Sequence, residues 1–286
     1  MRNRYLAFAV AALAFAAGDA AACPGYTIAI NQVSGTSYSP VDTVDAPLVV
    51  QLVANGAPLP TSCETLPVRI EGAPGDPRPL QFKGGGGSDL VADLMQSTDA
   101  SIAFSALTLS PDARARLVRG QPVNVQIGRF QAGQFLRAGV YTALLRATAG
   151  ATEVSEAMSV AVEPAFLLQL SSLDGVEEIL LNGDPQTGTS GSTVFFYKTN
   201  TNLRVSASSL NGGALVHQRG VSVGRIPYKA TLDGVTLSLS NGSASVDFGF
   251  VQTNLQSRTI MVEVPPAGPL AAGRYEDVIT FSFAAY

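Results

Sequence analysis

The stretch Leu136-Arg-Ala-Gly-Val-Tyr-Thr-Ala-Leu-Leu recurs as Leu270-Ala-Ala-Gly-Arg-Tyr-Glu-Asp-Val-Ile, at an offset of 134 residues. Leu-x-Ala-Gly-x-Tyr followed by an apolar run predicts a turn opening on a β-strand, with glycine permitting the turn and the tyrosine ring packing at a sandwich edge. A repeat constrains the fold more than any local propensity, because it demands two copies of one unit. The offset equals an ordinary domain length. Short alternating runs rich in Thr, Ser and Val, punctuated by Asn211-Gly-Gly, Asp233-Gly and Asn241-Gly, make those units β-sandwiches. The sequence therefore predicts an all-β chain of two tandem immunoglobulin-like sandwich domains, 23–163 and 164–286. Glu163-Pro-Ala165 forms the junction, where the proline ends one strand and Phe166-Leu-Leu-Gln-Leu170 opens the next.

The copies diverge immediately after the repeat. Beyond Tyr141 the chain turns at Ala149-Gly-Ala-Thr152 and continues as Glu153 to Val162, where Val154, Met158, Val160 and Val162 share one face. The second copy reaches Tyr286 through Ile279-Thr-Phe-Ser-Phe-Ala, with no equivalent strand after it in the sequence. Taking the first copy as a model, four buried apolar side chains are missing, worth about 1.5–3 kcal/mol each. Whole domains are stable by only about 5–15 kcal/mol. The second domain is thus expected to lack its last strand and to depend on one supplied by another chain, through main-chain hydrogen bonds and alternate side chains in pockets.

Further strands are expected near Thr27–Ile30, Leu48–Val53, Val68–Ile70, Ser101–Leu107 and Val123–Ile127 in the first half. The second half should carry them near Ile179–Leu181, Thr193–Lys198, Leu203–Ser208, Lys229–Leu232, Ala244–Phe250 and Ile260–Val264. Ser110-Pro-Asp predicts one short helix, with serine as N-cap, proline at the first helical position and Gly120 closing it.

Phe195-Phe-Tyr-Lys-Thr-Asn, Leu203-Arg-Val-Ser-Ala-Ser, Ile226-Pro-Tyr-Lys-Ala-Thr-Leu-Asp-Gly and Ala272-Gly-Arg-Tyr-Glu-Asp-Val-Ile-Thr-Phe together resemble the pilin domain of the spore-coat-protein-U family, over most of residues 166–286. One departure is that family members often carry a cysteine near Phe195 or Phe196, and this chain has none there. The resemblance implies a subunit of archaic chaperone–usher pili, and the two-domain layout resembles that of a tip adhesin. It also implies partners: a periplasmic chaperone that first holds the open groove, an outer-membrane usher, the donor strand of an adjacent pilus subunit, and an unidentified surface or receptor. Ile279, Phe281 and Phe283 are expected on one groove wall, with Phe166, Leu168 and Leu170 on another.

Arg2 and Arg4, the apolar run Tyr5–Ala17 and the small residues up to Ala22 read as an export signal over residues 1–22. In an oxidising compartment Cys23 and Cys63, the only cysteines, are expected to form a disulfide, contributing about 4 kcal/mol on the chain-entropy model. The alternative, lipidation of Cys23, would leave Cys63 a free thiol. Export then places the chain at the cell surface or in the medium.

Charged residues make up only 14% of the chain and the net charge is −4, with no basic cluster, so nucleic acid is excluded as a partner. Catalysis finds no support. His217 is the only histidine, Lys83-Gly-Gly-Gly-Gly-Ser-Asp89 has the wrong order for a phosphate loop, and Asp174-Gly and Asn182-Gly-Asp184 lack Ca²⁺-loop spacing. No cofactor or metal is expected, and Glu177-Glu178 and Glu276-Asp277 read as solvated edges. Leu90, Val91, Leu94 and Met95, after the four glycines, fall at helical spacing and predict either a short amphipathic helix over the sandwich end or an exposed apolar adhesion loop. The alternative functions are a self-contained ligand-binding module, for carbohydrate for instance, whose second domain is closed by its own first strand, and an extracellular hydrolase.

Overall fold

The computed structural model describes residues 23, 26–72, 80–85, 87–103, 106–172, 174–181, 186–250 and 253–286. The export signal expected over 1–22 lies outside these residues. The first half carries β1 (Thr27–Gln32), β2 (Ser37–Tyr38), β3 (Ala46–Asn55), β4 (Val68–Gly72), β5 (Leu80–Phe82), β6 (Leu90–Leu94), β7 (Ala100–Ala103), β8 (Ala106–Leu109), helix α1 (Pro111–Val118), β9 (Val123–Phe130), β10 (Gly139–Ala149) and β11 (Thr152–Val162). The second half carries β12 (Phe166–Gln169), β13 (Thr189–Thr199), β14 (Leu203–Ser209), β15 (Ala214–His217), β16 (Arg225–Pro227), β17 (Lys229–Leu232), β18 (Val235–Leu237), β19 (Ser243–Phe248), β20 (Gln256–Val264), β21 (Tyr275–Glu276) and β22 (Ile279–Ala285).

Two hydrophobic cores result. The first gathers inward residues from the sheets β1-β3-β9-β6-β5 and β2-β11-β10-β4-β8-β7. The second gathers those of β12-β13-β20-β17-β18 and β19-β14-β22, and a small third sheet, β16-β15-β21, lies beside them. Alternation drives both: along β3, Leu48, Val50, Leu52 and Ala54 are buried while their neighbours are not. The chain is two immunoglobulin-like sandwiches, and the order of their sheets is the same where both exist. β1, β3, β9 and β6 correspond to β12, β13, β20 and β17, and β4, β8 and β10 correspond to β14, β19 and β22.

The repeated Leu-x-Ala-Gly-x-Tyr segment is a tyrosine corner, used twice. Tyr141 donates its hydroxyl to the Arg137 carbonyl at 2.9 Å, and Tyr275 donates to the Ala271 carbonyl at 3.1 Å, each four residues upstream. Gly139 and Gly273 hold nearly the same backbone angle, φ 147° and 149°, which only glycine adopts readily. Each ring also lies on another glycine: a Cβ on Gly84 would come within 2.4 Å of the Tyr141 ring, and one on Gly224 within 2.5 Å of the Tyr275 hydroxyl.

Helix α1 forms as expected, with the Ser110 hydroxyl accepting from the Ala113 amide and Ala113, Leu117 and Val118 turned into the core. Cys23 and Cys63 are disulfide-bonded with Cα atoms 5.6 Å apart, so the Cys23 thiol is consumed by Cys63. Three expectations fail. Ser101–Leu107 is not one strand: its described residues belong to β7 and β8, which pair antiparallel from Ala100↔Leu109 to Ala103↔Ala106. Ile179–Leu181 joins no ladder; instead Ile179 and Leu181 pack over Gly191 of β13, where a Cβ would meet Ile179 at 2.8 Å. Leu90, Val91, Leu94 and Met95 form neither helix nor exposed loop. Leu90 to Leu94 is strand β6, paired with β5 and β9, and Leu90 is fully buried.

Candidate functional site

The distinctive geometry lies at β22. Register pairs it with β14 from Leu203↔Ala285 to Ser209↔Ile279, and no ladder among the described residues joins its other edge. β12 pairs only with β13, from Phe166↔Thr199 to Gln169↔Phe196, so the first strand of the second sandwich does not close onto the last. Among the described residues β12 and β22 are not hydrogen-bonded to each other, and their apolar side chains meet through Phe166 and Phe283. Ile279, Phe281 and Phe283 are half-buried and pack on the second core, as do Phe166 and Leu170. Leu168, in register with Tyr197, is 39% exposed.

Phe283 makes that contact. Its ring stacks on Phe166 at 5.0 Å and meets Phe195 edge-on at 5.4 Å, so the two strands touch through aromatic rings at one end. Toward Ile279 no ring bridges them. A sheet edge without a ladder partner beside half-buried apolar side chains can accept one more β-strand.

Two polar residues that their sequence context does not single out hold β22 in place. Asp277, expected as a solvated edge, accepts hydrogen bonds from the Ser209 and Tyr228 hydroxyls and from the Asn211 and Val278 amides. Burial and this carboxylate push the Tyr228 phenol well above its ordinary range. His217, at the end of β15, is 1% exposed. Its Nδ1 accepts from the Arg219 amide at 3.0 Å, which leaves the proton on Nε2 to donate to the Ala272 carbonyl at 3.1 Å. Its ring packs edge-on to Tyr275 at 5.0 Å and so braces the second corner. Glu177 also departs from a bare solvated edge: the Ser171 hydroxyl and the Ser172 amide hold its carboxyl below the usual range.

The junction is a built structure. Asn200, fully buried, accepts from the Ala165 amide at 2.7 Å through its side chain and donates to the Glu163 carbonyl at 2.8 Å. Its backbone carbonyl accepts from Ala138 of the first sandwich. Lys198 lies 4.3 Å from the Phe135 ring centre and Arg137 lies 5.1 Å from that of Phe250, so two cation–aromatic contacts flank it.

Register also distinguishes the two ends of the first sandwich. Val162 pairs with Tyr38, whose hydroxyl donates to Gln131 just after β9, so that end faces the junction. β6 pairs there, Ala92 with Phe130, and Gly84 lies against Tyr141. Gly84 and the start of β6 are therefore at the junction end. No helix among the described residues is long and apolar enough to cross a membrane, and no group of three or more His, Cys, Asp or Glu among them is placed to hold a metal ion.

No protein-family model and no curated protein matches the chain. Among solved structures it is similar to a chaperone–tip adhesion subunit pre-assembly complex from the archaic chaperone–usher Csu pili of Acinetobacter baumannii, at 14% identity over 90% of this chain and 99% of that chain, TM-score 0.42. It is also similar to a chaperone–tip adhesin complex of CFA/I fimbriae biogenesis, at 12% identity over 91% of this chain and 84% of that chain, TM-score 0.37. A third, the major subunit of aggregative adherence fimbriae type I from Escherichia coli, is 13% identical over 49% of this chain and 93% of that chain, TM-score 0.33. These are weak likenesses of shape, and a secreted serine protease of Vibrio cholerae stands among them at 0.25.

Proposed function

We propose that the chain is an exported, non-enzymatic pilus tip adhesin or pilus subunit whose second sandwich, residues 164–286, is completed by a β-strand from another polypeptide. The observation that carries the reading is β22: one ladder neighbour, and inward side chains Ile279, Phe281 and Phe283 left half-buried beside the unpaired edge. A strand placed between β12 and β22 would pair that edge and cover those side chains. In this reading a periplasmic chaperone supplies the strand first, and the extension of the adjacent pilus subunit replaces it at the usher. The first sandwich, residues 23–163, carries the contact to a surface or receptor.

Hydrogen exchange on the purified full chain tests this. The probe is a synthetic peptide of residues 153–162, the sequence that completes the first sandwich. The β22 amides that point away from β14 are expected to exchange quickly in the chain alone and to become protected with the peptide or with a bound chaperone, while the β10 amides stay protected throughout. Protection of these β22 amides equal to that of β10 in the chain alone overturns the proposal.

A further inference from the structure

The first sandwich departs from its own duplicate in one element that closing the sandwich does not require. Between β8 and β9 it carries helix α1, whereas among the described residues no helix lies between β19 and β20. Ala113, Leu117 and Val118 explain one face of the helix, since they cap the core. The opposite face, Asp112, Ala115, Arg116 and Arg119, recurs at helical spacing. It forms one wall of a cleft of about 440 Å³ whose other wall is Thr98, Asp99 and Ser110.

That cleft lies at the end of the sandwich away from the junction. Ala149 pairs with Val68, and Thr108 with Arg69, so the chain enters α1 at the pole opposite Val162. The frame is rigid. The Ser110 amide donates to the Asp99 carbonyl at 2.8 Å, and Arg116 pairs with the Asp99 carboxylate across the cleft. Arg114 donates to the Thr65 and Leu66 carbonyls at 3.1 and 3.2 Å, tying the helix to the turn that holds the Cys63 disulfide. Asp112 and Arg119 are exposed. Neither has a side-chain partner among the described residues.

The lining is two hydroxyls, two carboxylates, two guanidiniums and one methyl, with no large apolar or aromatic side chain. Vicinal hydroxyl groups match paired carboxylate and guanidinium groups, which accept and donate in forks, and the aliphatic stems of the arginines and the Ala115 methyl can meet a sugar ring's C–H face. The volume falls within the range of small-molecule sites, about 300–1,000 Å³. We infer that this polar cleft is a saccharide-binding site, with the Asp99–Arg116 pair fixing the floor and Asp112 and Arg119 making the specifying contacts. The inference rests on the adhesive half of the proposed function and is independent of the groove.

The test is a printed array of neutral and uronic-acid-bearing di- to hexasaccharides, probed with the full chain, with the best binder then titrated. Asp112→Ala and Arg119→Ala are each expected to weaken binding at least tenfold with unchanged thermal unfolding, because both side chains are exposed. Leu168→Arg, which obstructs the groove in the other sandwich, is expected to leave saccharide binding unchanged while abolishing peptide protection of β22. Absence of saccharide binding, or binding indifferent to Asp112 and Arg119, overturns the inference whatever the fate of the groove.

Discussion

Strands β10 and β22 begin from the same corner and sit in the same place in their sheets, yet they are buried to different degrees. At the repeat offset Leu145, Ala147 and Ala149 correspond to Ile279, Phe281 and Phe283. β10 lies between β4 and β11, and its three residues are 1–4% exposed. Among the described residues β22 lies beside β14 alone, and its three remain half-buried although Phe281 and Phe283 are larger than their counterparts. Burial here depends on the number of covering strands, not on the hydrophobicity of the side chain. Register sets Glu156, Val154 and Thr152 of β11 beside Leu145, Ala147 and Ala149, and the buried Met158, Val160 and Val162 beside Ala143, Tyr141 and Gly139, whereas the phenylalanines of β22 reach across toward β12. The second sandwich has thus kept the apolar chemistry of an interior strand at a sheet edge.

The sharpest way to break this comparison is to put a charge in each row. Val160→Asp places a carboxylate at a fully buried site with no partner, and the first sandwich is expected to lose more than about 4 kcal/mol, seen as loss of its unfolding transition. Phe281→Asp should cost the free chain far less, because the side chain already meets solvent, and should instead abolish peptide binding. Equal destabilisation by both would mean that β22 is as covered as β10.

The disulfide comes next in size. Cys23→Ser with Cys63→Ser opens a loop spanning 40 residues, for which the chain-entropy model gives roughly 4 kcal/mol. Calorimetry should show the first sandwich melting lower and the second unchanged. A joint shift of both transitions would show that the junction makes one cooperative unit.

Much of this contrast was legible in the sequence, and the rest was hidden for a physical reason. Most of the alternating runs, the serine-capped helix, the disulfide and the repeat are found where expected; Ile179–Leu181 and Ser101–Leu107 are the exceptions. Strand β6 was misread because Leu90, Val91, Leu94 and Met95 fit helical spacing, while the alternating set Leu90, Ala92, Leu94 is obscured by the small Ala92. The feature that settles the strand is distant: Gly128 of β9 lets β6 approach so closely that a Cβ there would lie 2.6 Å from the Asp93 carbonyl oxygen. Asp277 and His217 were passed over for a similar reason, since their partners come from Ser209, Tyr228, Arg219 and Ala272, and no spacing announces them. The edge position of β22 was legible because its duplicate, β10, is followed by a further strand in the sequence; the polar cleft was not, because it joins segments on either side of β7 and β8.

The corners offer a smaller test. Tyr141→Phe and Tyr275→Phe each remove one hydroxyl-to-carbonyl hydrogen bond, worth about 0.5–1.5 kcal/mol. Tyr141 is 2% exposed, so its hydroxyl is the better shielded of the two, and its cost should fall at the upper end. Tyr275 is half-buried and should fall lower. The reverse order, read from the two melting transitions, would contradict the greater coverage of the first corner.

The smallest effect is a pH dependence confined to the base of β22. The Tyr228 phenol is raised by burial and by its hydrogen bond to Asp277, so the folded state keeps a proton that the unfolded state releases near pH 10. Above that pH the unfolded chain binds fewer protons than the folded one, and stability therefore falls as pH rises. The contribution is fully present below pH about 10 and is lost toward the raised folded value. Tyr26, Tyr38 and Tyr141 are raised by burial as well, so the first sandwich should show an alkaline decline of its own. Tyr228→Phe separates the two: it removes the ionisable group beside Asp277 and should flatten the alkaline limb of the second transition alone. If both limbs flatten, the phenol acts on the junction as well as on β22, and the two sandwiches are not energetically independent.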